Sequence, residues 1–239
     1  MRVDRVWAPS PERSIRMEHV GEERTPVMII DQLVEQPERL REEASHLNFT
    51  TQSRFFPGIR APVSLSYQRF VLESLQGAMA DAFGLSGRTL KFTMCQYSLV
   101  TTPPEQLSLL QRIPHFDSLE PEGLAAIHYL FRSGYGGTAF YRHRKTGFER
   151  LTEDRKVAYL RSLESENDGP NMPGRAYING STPLFEEIHR VEGVFNRMVV
   201  YPRNILHSGC IEADFHPDPD PLTGRLSINS FIDVVDLTP

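Results

Sequence analysis

The most constraining feature of the sequence is a run of short β-type segments that begins at residue 89. These segments are rich in β-branched and aromatic residues, and glycine, proline and asparagine separate them. They are TLKFTMCQYSLV, EGLAAIHYLF, GTAFYRH, NRMVVYP and RLSINSFIDVV. Many short strands with such turn residues between them are typical of an antiparallel barrel or sandwich. The sequence therefore predicts a sheet-forming core over residues 89–239.

Residues 1–88 have a different pattern, and we predict that they are mostly helical. The segment TPVMIIDQLVEQPERLREEASHL has a strand-like start and then a helix with Asp31 as its cap. A second helix is predicted across LSYQRFVLESLQGAMADAFGL, where apolar residues recur at helical spacing and Gly84 ends the pattern. Helices that support one face of a sheet give an α+β, mainly β, fold.

We expect residues 1–239 to form a single domain, since β-barrels and sandwiches commonly reach this length as one unit. An insertion is expected around residues 150–182. It has a helical stretch, LTEDRKVAYLRSLES, followed by ENDGPNMPGRAYINGSTP, which is too rich in glycine, proline and asparagine for regular structure. Within it, residues 165–182 are a candidate lid or specificity loop.

Charge and hydropathy argue against nucleic-acid and membrane partners. The net charge is −5, and the basic residues are scattered among acidic ones, so the sequence predicts no basic patch that would bind a polyanion. No apolar run is long enough to span a bilayer, and the N-terminus lacks a secretion signal. The two cysteines are too few for a disulfide framework or a thiolate zinc site. We therefore expect a cytoplasmic protein.

A candidate metal site begins with His115 and Asp117 in the segment IPHFDSL. A third ligand is offered by His207 in VVYPRNILHSG, which an antiparallel sheet would return to the first pair. Two imidazoles and one carboxylate bind Fe(II) and leave the remaining positions open. The pair His216 and Asp218 has the same spacing, but it lies in the acidic, proline-rich HPDPDP and is not expected to bind iron.

The last predicted strand, GRLSINSFI, offers a binding site for a carboxylate. Alternation along a strand places Arg225, Ser227, Asn229 and Phe231 on one face. An arginine grips a carboxylate through two parallel hydrogen bonds, and the Ser227 hydroxyl adds a third. The pattern predicts an anchor for a dicarboxylate.

In their order along the chain, these motifs resemble the Fe(II)/2-oxoglutarate-dependent dioxygenase superfamily, most closely its prolyl-hydroxylase-like branch. HFD resembles the His-x-Asp ligand pair, and ILHSG resembles the distal ligand. AAIHYLF resembles the strand whose tyrosine helps bind 2-oxoglutarate, and GYGGTAFY resembles the glycine-rich turn into the next strand. GRLSINSF resembles the Arg-x-Ser motif that anchors the cosubstrate. The resemblance covers roughly residues 89–235. It implies a double-stranded β-helix, which is a jelly-roll-like barrel of two packed sheets.

The resemblance implies the roles of the main site residues. His115, Asp117 and His207 would bind Fe(II), while Arg225 and Ser227 would bind the distal carboxylate of the cosubstrate 2-oxoglutarate.

Three further residues are candidates for the site. Two are implied by the resemblance, and one is suggested by the loop in which it lies. Tyr129 would assist in binding 2-oxoglutarate, and Tyr97 matches a second tyrosine found in some members. Arg60, in a loop that two prolines and a glycine would rigidify, is a candidate substrate contact.

The implied chemistry consumes O₂ and 2-oxoglutarate and releases succinate and CO₂ while a C–H bond of the substrate is oxidised. Relatives that halogenate have a small residue in place of the carboxylate, so the presence of Asp117 favours hydroxylation, desaturation or ring closure. The expected substrate is a small molecule, such as an amino acid or a natural-product intermediate. A peptide or protein side chain is the alternative.

Two other function classes use the same kind of site. A zinc hydrolase or isomerase would bind its metal through the same three ligands, but Arg225 and Ser227 would have no necessary role there. A non-enzymatic sugar- or metal-binding barrel would retain a metal and make no use of 2-oxoglutarate.

Overall fold

The computed structural model describes residues 6–132, 134–166 and 169–235. Its helices are α1 Glu38–Ser45, α2 Leu65–Ala82 and α3 Glu153–Glu166, with short 3₁₀ turns at Pro104–Gln106 and Leu109–Gln111. Its strands are β1 Ser14–Val20, β2 Thr25–Asp31, β3 Gly58–Pro62, β4 Thr89–Val100, β5 Leu124–Tyr129, β6 Gly137–His143, β7 Phe185–Val191, β8 Met198–Pro202, β9 His207–Cys210 and β10 Leu226–Val235. No helix in the described ranges is long and apolar enough to cross a membrane.

The strands form two antiparallel sheets. The large sheet has seven strands in the order β1-β2-β8-β5-β10-β4-β3, and the small sheet has three in the order β7-β6-β9. The predicted mainly β fold with antiparallel sheets and few helices is thus confirmed.

The outer face of the large sheet packs against α2. The helix buries an apolar stripe at helical spacing that includes Phe70, Leu75 and Met79. Met28 and Ile228 of the sheet belong to the same buried cluster. Full burial of a side chain such as Leu75 contributes roughly 2 kcal/mol. This apolar layer fixes which side of each strand faces away from the second sheet.

The inner face of the large sheet packs against the small sheet. Val199 and Tyr201 of β8 meet Phe140 of β6 in this layer, where the rings of Tyr201 and Phe140 make an edge contact at 5.2 Å between centroids. The predicted alternation along β10 is confirmed. Ser227 is opposite Tyr129 of β5, and the next residue, Ile228, is opposite His128 and packs on the other face.

The insertion covers the outer face of the small sheet. Tyr159 of α3 packs there with Tyr141 and Phe185 of the sheet. The predicted helix in this segment is confirmed, and irregular structure follows it from residue 169 to 184, apart from residues 167–168, which lie outside the described ranges.

The N-terminal region differs from its prediction. Residues 1–88 contribute α1 and α2, but they also contribute β1, β2 and β3 to the large sheet, so a mostly helical support is wrong. β1 is largely polar and exposed because it is an edge strand with one neighbour. β3 is the other edge, where Pro62 is tolerated and where Gly58 lies so close to the Leu99 carbonyl that a side chain would clash.

The first helix begins later than predicted. Asp31 is the last residue of β2, and α1 starts at Glu38 after Pro37. The apolar run before Asp31 is a buried strand, and proline then favours the first turn of a helix. Two further strands, β7 and β9, were also absent from the prediction.

Candidate metal centre and cosubstrate pocket

Backbone pairing brings the distant ligand motifs together. The amide of His115 donates to the carbonyl of His207 at 2.9 Å, and the amide of His207 donates back to the carbonyl of His115 at 2.8 Å. The amide of Asp117 donates to the carbonyl of Arg203 at 2.8 Å. The turn between β8 and β9 therefore positions all three predicted ligands.

The three side chains converge. Oδ1 of Asp117 lies 3.7 Å from Nε2 of His115, and Oδ2 lies 3.4 Å from Nε2 of His207. One ligand atom from each residue lies within 4.8 Å of the others. Metal bonds of about 2.0–2.2 Å place ligand atoms roughly 3–4 Å apart, so small rotations would let these donors share one ion.

His207 is fixed in the orientation that a metal ligand needs. Its Nδ1 donates to the carbonyl of Ile205 at 2.9 Å, which leaves the lone pair of Nε2 facing Asp117. The side chain of His207 is 5% exposed, whereas that of His115 is 52% exposed. The site is therefore closed at His207 and open to solvent at His115.

Electrostatics favour a neutral imidazole at His115. Its pKa is lowered because burial desolvates the ring and because a proton on His207 and the charge of Arg60 would each disfavour a positive charge on His115, while the carboxylate of Asp117 opposes this. A neutral ring is the form that binds a metal ion.

Tyr201 forms a wall of the site that the sequence did not indicate. Its ring centroid lies 4.8 Å from that of His207, and the side chain is buried. Burial and the nearby Asp117 carboxylate raise its pKa, so the phenol stays neutral. Its inward position on β8 follows from its pairing with Ala125 of β5, which a single sequence does not contain.

Arg225 is a buried cation. Its Nε donates to the carbonyl of Tyr135 at 2.9 Å and its Nη2 to that of Gly137 at 3.1 Å. A Cβ at Gly209 would lie 3.7 Å from Nη2, so the guanidinium is next to the strand that begins with His207. Burial lowers its pKa, but arginine stays charged. No carboxylate in the described part of the chain forms an ion pair with it.

The other predicted anchor residues surround this cation. Ser227 donates to Oδ1 of Asn229 at 2.7 Å, and the Tyr129 hydroxyl shares a hydrogen bond with Thr138 at 2.7 Å. Burial raises the pKa of Tyr129, and Arg225 is close enough to oppose that rise. Tyr129, Ser227 and Arg225 thus face one region of the interior.

The insertion also reaches this region. The hydroxyl of Tyr177 donates to the carbonyl of Thr102 at 2.7 Å; burial raises the pKa of this phenol, and the nearby charge of Arg225 opposes the rise. The ring of Tyr177 packs edge-on against Phe215 at 5.8 Å. Tyr177 lies within the candidate lid, and no motif in the sequence marks it as a site residue.

The prediction for Tyr97 is wrong. Tyr97 is opposite Ile228 and packs in the layer that contacts α2, whereas its neighbour Ser98 is opposite Ser227. Its hydroxyl donates to Glu43 at 3.5 Å on the outer side. Because adjacent residues of a strand face opposite sides, Tyr97 cannot share a pocket with Ser227.

The second histidine and aspartate pair lies in a separate surface loop. Nδ1 of His216 contacts the carbonyl of Asp214 at 2.6 Å, and Asp218 accepts a hydrogen bond from Thr223 at 2.6 Å. Neither belongs to the metal-ligand cluster. That this pair binds no iron stays a prediction.

Comparison with known proteins identifies the family. A family model described as a family of unknown function, DUF6445, matches residues 11–232. The chain belongs to this family. No curated protein matches the sequence significantly.

Solved structures share the fold of this DUF6445 member. HygX from Streptomyces hygroscopicus with nickel and 2-oxoglutarate bound is 17% identical, with a TM-score of 0.53, and the match covers 90% of this chain and 85% of that chain. HygX with nickel, 2-oxoglutarate and hygromycin B bound is 15% identical, with a TM-score of 0.51 and the same coverage of 90% and 85%. The non-heme alpha ketoglutarate dependent epimerase SnoN from nogalamycin biosynthesis is 14% identical, with a TM-score of 0.46 and coverage of 82% and 69%.

The two HygX structures confirm the predicted resemblance to 2-oxoglutarate-dependent enzymes at the level of the fold. The assignment to the prolyl-hydroxylase-like branch stays a prediction.

Proposed function

We propose that this protein is an Fe(II)- and 2-oxoglutarate-dependent oxygenase that oxidises a C–H bond of a small molecule. The observation that carries the proposal is the convergence of His115, Asp117 and His207 beside a buried arginine with no anionic partner among the described residues. In this proposal the two sheets are the halves of a double-stranded β-helix, formed by one domain.

The residues present fit the metal and the cosubstrate. Two neutral imidazoles and one carboxylate suit Fe(II) and leave positions open. Arg225 is 6% exposed and is bonded only to carbonyl oxygens, so a carboxylate would satisfy a charge that is costly to bury alone. His115, Asp117 and His207 would bind the iron, and Arg225, Ser227 and Tyr129 would bind the distal carboxylate of 2-oxoglutarate.

Fe(II) with 2-oxoglutarate would supply the activation of O₂ that oxidises a C–H bond and yields succinate and CO₂. The protein's part is positioning. The Ile205 carbonyl fixes the ring of His207, and Asp117 bridges the two histidines. Arg225 would hold the distal carboxylate in the interior, where the buried rings of Phe131 and Phe140 would limit the access of water.

The half-exposed side of His115 is where we place the substrate. The proposed reaction is hydroxylation, desaturation or cyclisation of an amino acid or a natural-product intermediate, with a peptide or protein side chain as the alternative. The candidate lid, residues 165–182, would cover the cosubstrate end of the site, since Tyr177 lies near Arg225.

The test measures iron content and the O₂-dependent release of CO₂ from 2-oxoglutarate. The wild-type protein should bind one Fe(II) and decarboxylate 2-oxoglutarate, and His207→Ala should lose both properties. His216→Ala is the matched control, because it removes a histidine of the same local spacing from a surface loop, and it should behave as wild type. Retention of iron by His207→Ala would refute the assignment of the ligands.

A further inference from the structure

Arg60 lies in the same cross-strand row as the predicted cosubstrate residues. In the register of the large sheet, Arg60 of β3 is opposite Ser98 of β4, Ser98 is opposite Ser227 of β10, and Ser227 is opposite Tyr129 of β5. Residues opposite one another in an antiparallel sheet share a face. Ala61, the next residue, is buried in the layer that contacts α2, so Arg60 faces the interior of the barrel.

The charge of Arg60 interacts with the carboxylate of Asp117, but it forms no ion pair with any residue that the structure describes. Its Nε is buried without a hydrogen bond, and its terminal nitrogens form no hydrogen bond or ion pair with any residue that the structure describes. The guanidinium carbon lies 4.2 Å from the ring centroid of Phe56, so this ring covers one face of the guanidinium while Nε lacks an acceptor. A partly desolvated cation with an unsatisfied donor is a site for an anion.

Arg60 is close to the open side of the metal centre, in contrast to Arg225. The charge of Arg60 acts on His115, and the carboxylate of Asp117 acts on Arg60. Arg225 instead contacts Tyr135 and Gly137 beside the deeper part of the site. The two interior arginines therefore approach the metal ligands from different positions and are available to two different anions.

Amide side chains extend the polar surface next to Arg60. Gln96 is opposite Asn229 and donates a hydrogen bond to Gln52. These groups offer hydrogen bonds without further charge, which suits a substrate with one carboxylate and neutral polar groups.

We propose that Arg60 binds a carboxylate of the primary substrate, so that the substrate class is small monocarboxylic acids. This inference rests on the proposed function, because it assigns the second anion of the same site. The planar fork of arginine matches a carboxylate through two parallel hydrogen bonds. Arg60 would hold the acid group while the C–H bond to be oxidised lies near His115 and Asp117.

The test uses matched pairs of probes that differ only in charge. The common L-amino acids and their N-acetyl derivatives, each beside its primary amide, are screened for binding by ligand-observed NMR. The protein is loaded with Zn²⁺ and saturated with 2-oxoglutarate, so that Arg225 is already occupied and no turnover occurs. Wild type should bind at least one acid more tightly than its amide.

Three variants locate the effect. Arg60→Gln should weaken binding of that acid on the order of 10- to 100-fold, leave its amide unchanged and leave 2-oxoglutarate affinity unchanged. Arg60→Lys should recover part of the acid preference. Arg54→Gln, an exposed arginine of the preceding loop, is the control and should match wild type.

Each failure has its own signature. If no acid binds, if acids and amides bind equally, or if Arg60→Gln keeps the preference, the assignment of Arg60 is overturned. If Arg60→Gln weakens 2-oxoglutarate instead, Arg60 belongs to the cosubstrate site and the substrate class is refuted. Failure of wild type to bind 2-oxoglutarate overturns the proposed function and is detected before any probe is added.

Discussion

The two faces of the large sheet contrast sharply, although they are built from alternate residues of the same strands. On the outer face, His128 is fully buried, and both of its ring nitrogens are satisfied, by Tyr67 at 3.0 Å and by Asn196 at 3.1 Å. On the inner face, Arg60 and Arg225 have no carboxylate partner among the described residues. A buried polar group is normally paired, so unpaired charges on one face indicate where ligands bind.

The largest effect is expected from removing the buried cation of the inner face, Arg225. Arg225→Leu should raise the dissociation constant of 2-oxoglutarate about 100-fold or more, since truncating one partner of a buried charge pair costs about 2–5 kcal/mol. Without 2-oxoglutarate, the free energy of unfolding should change little, because the loss of the hydrogen bonds to the carbonyls of Tyr135 and Gly137 is offset by removal of a buried charge that has no ion pair among the described residues. Calorimetric titration and urea unfolding measure the two quantities. A loss of stability with unchanged 2-oxoglutarate affinity would make Arg225 a structural residue.

The buried histidine of the outer face, His128, should make the free energy of unfolding depend on pH. Burial lowers the pKa of His128 to about 4, and the hydrogen bond to Asn196 opposes the shift. The unfolded chain gains a proton near pH 6.5, whereas the native protein gains it only near the lowered pKa of about 4. Stability should therefore fall by ~3 kcal/mol as the pH drops through this window.

Urea unfolding in EDTA at several pH values checks the contribution of His128. His128→Gln keeps a polar side chain without the titration, so the difference between the two proteins should shrink as the pH falls. Parallel pH dependences for wild type and His128→Gln would rule out a neutral buried histidine.

The smallest expected effect distinguishes a residue on the inner face of the large sheet from one on its outer face. Ser227→Ala should weaken 2-oxoglutarate several-fold, since one hydrogen bond contributes about 1 kcal/mol. Tyr97→Phe removes a hydroxyl from the opposite face of the sheet and should leave 2-oxoglutarate affinity unchanged. An effect of Tyr97→Phe as large as that of Ser227→Ala would contradict the register assigned to β4 and β10.

Strands with strong local signals were predictable from the sequence. β4 and β6 have the predicted bounds because both are continuous runs of β-forming residues. β9, with the sequence HSGC, has no such signal, and it exists because His207 pairs with His115 and Phe140. Edge strands β1 and β3 are polar or carry glycine and proline, so tertiary pairing rather than propensity decides them.

The site was predictable where a short motif carried the chemistry. His115, Asp117 and His207 were found by residue type, and the backbone brings them together. Tyr97 was misassigned because facing depends on the register with β10, which a single sequence does not contain. Tyr177 and Tyr201 were missed because their positions depend on how the insertion and β8 pack around the centre.

The central claim is that one site binds both Fe(II) and 2-oxoglutarate. Its most direct test is an anaerobic titration of the metal-free protein with Fe(II) and then 2-oxoglutarate, followed in the visible range. We predict a chelate absorption that appears only when both are present, is absent in His207→Ala and needs far more 2-oxoglutarate in Arg225→Leu. Binding of iron with no spectral response to 2-oxoglutarate in the wild-type protein would contradict the account.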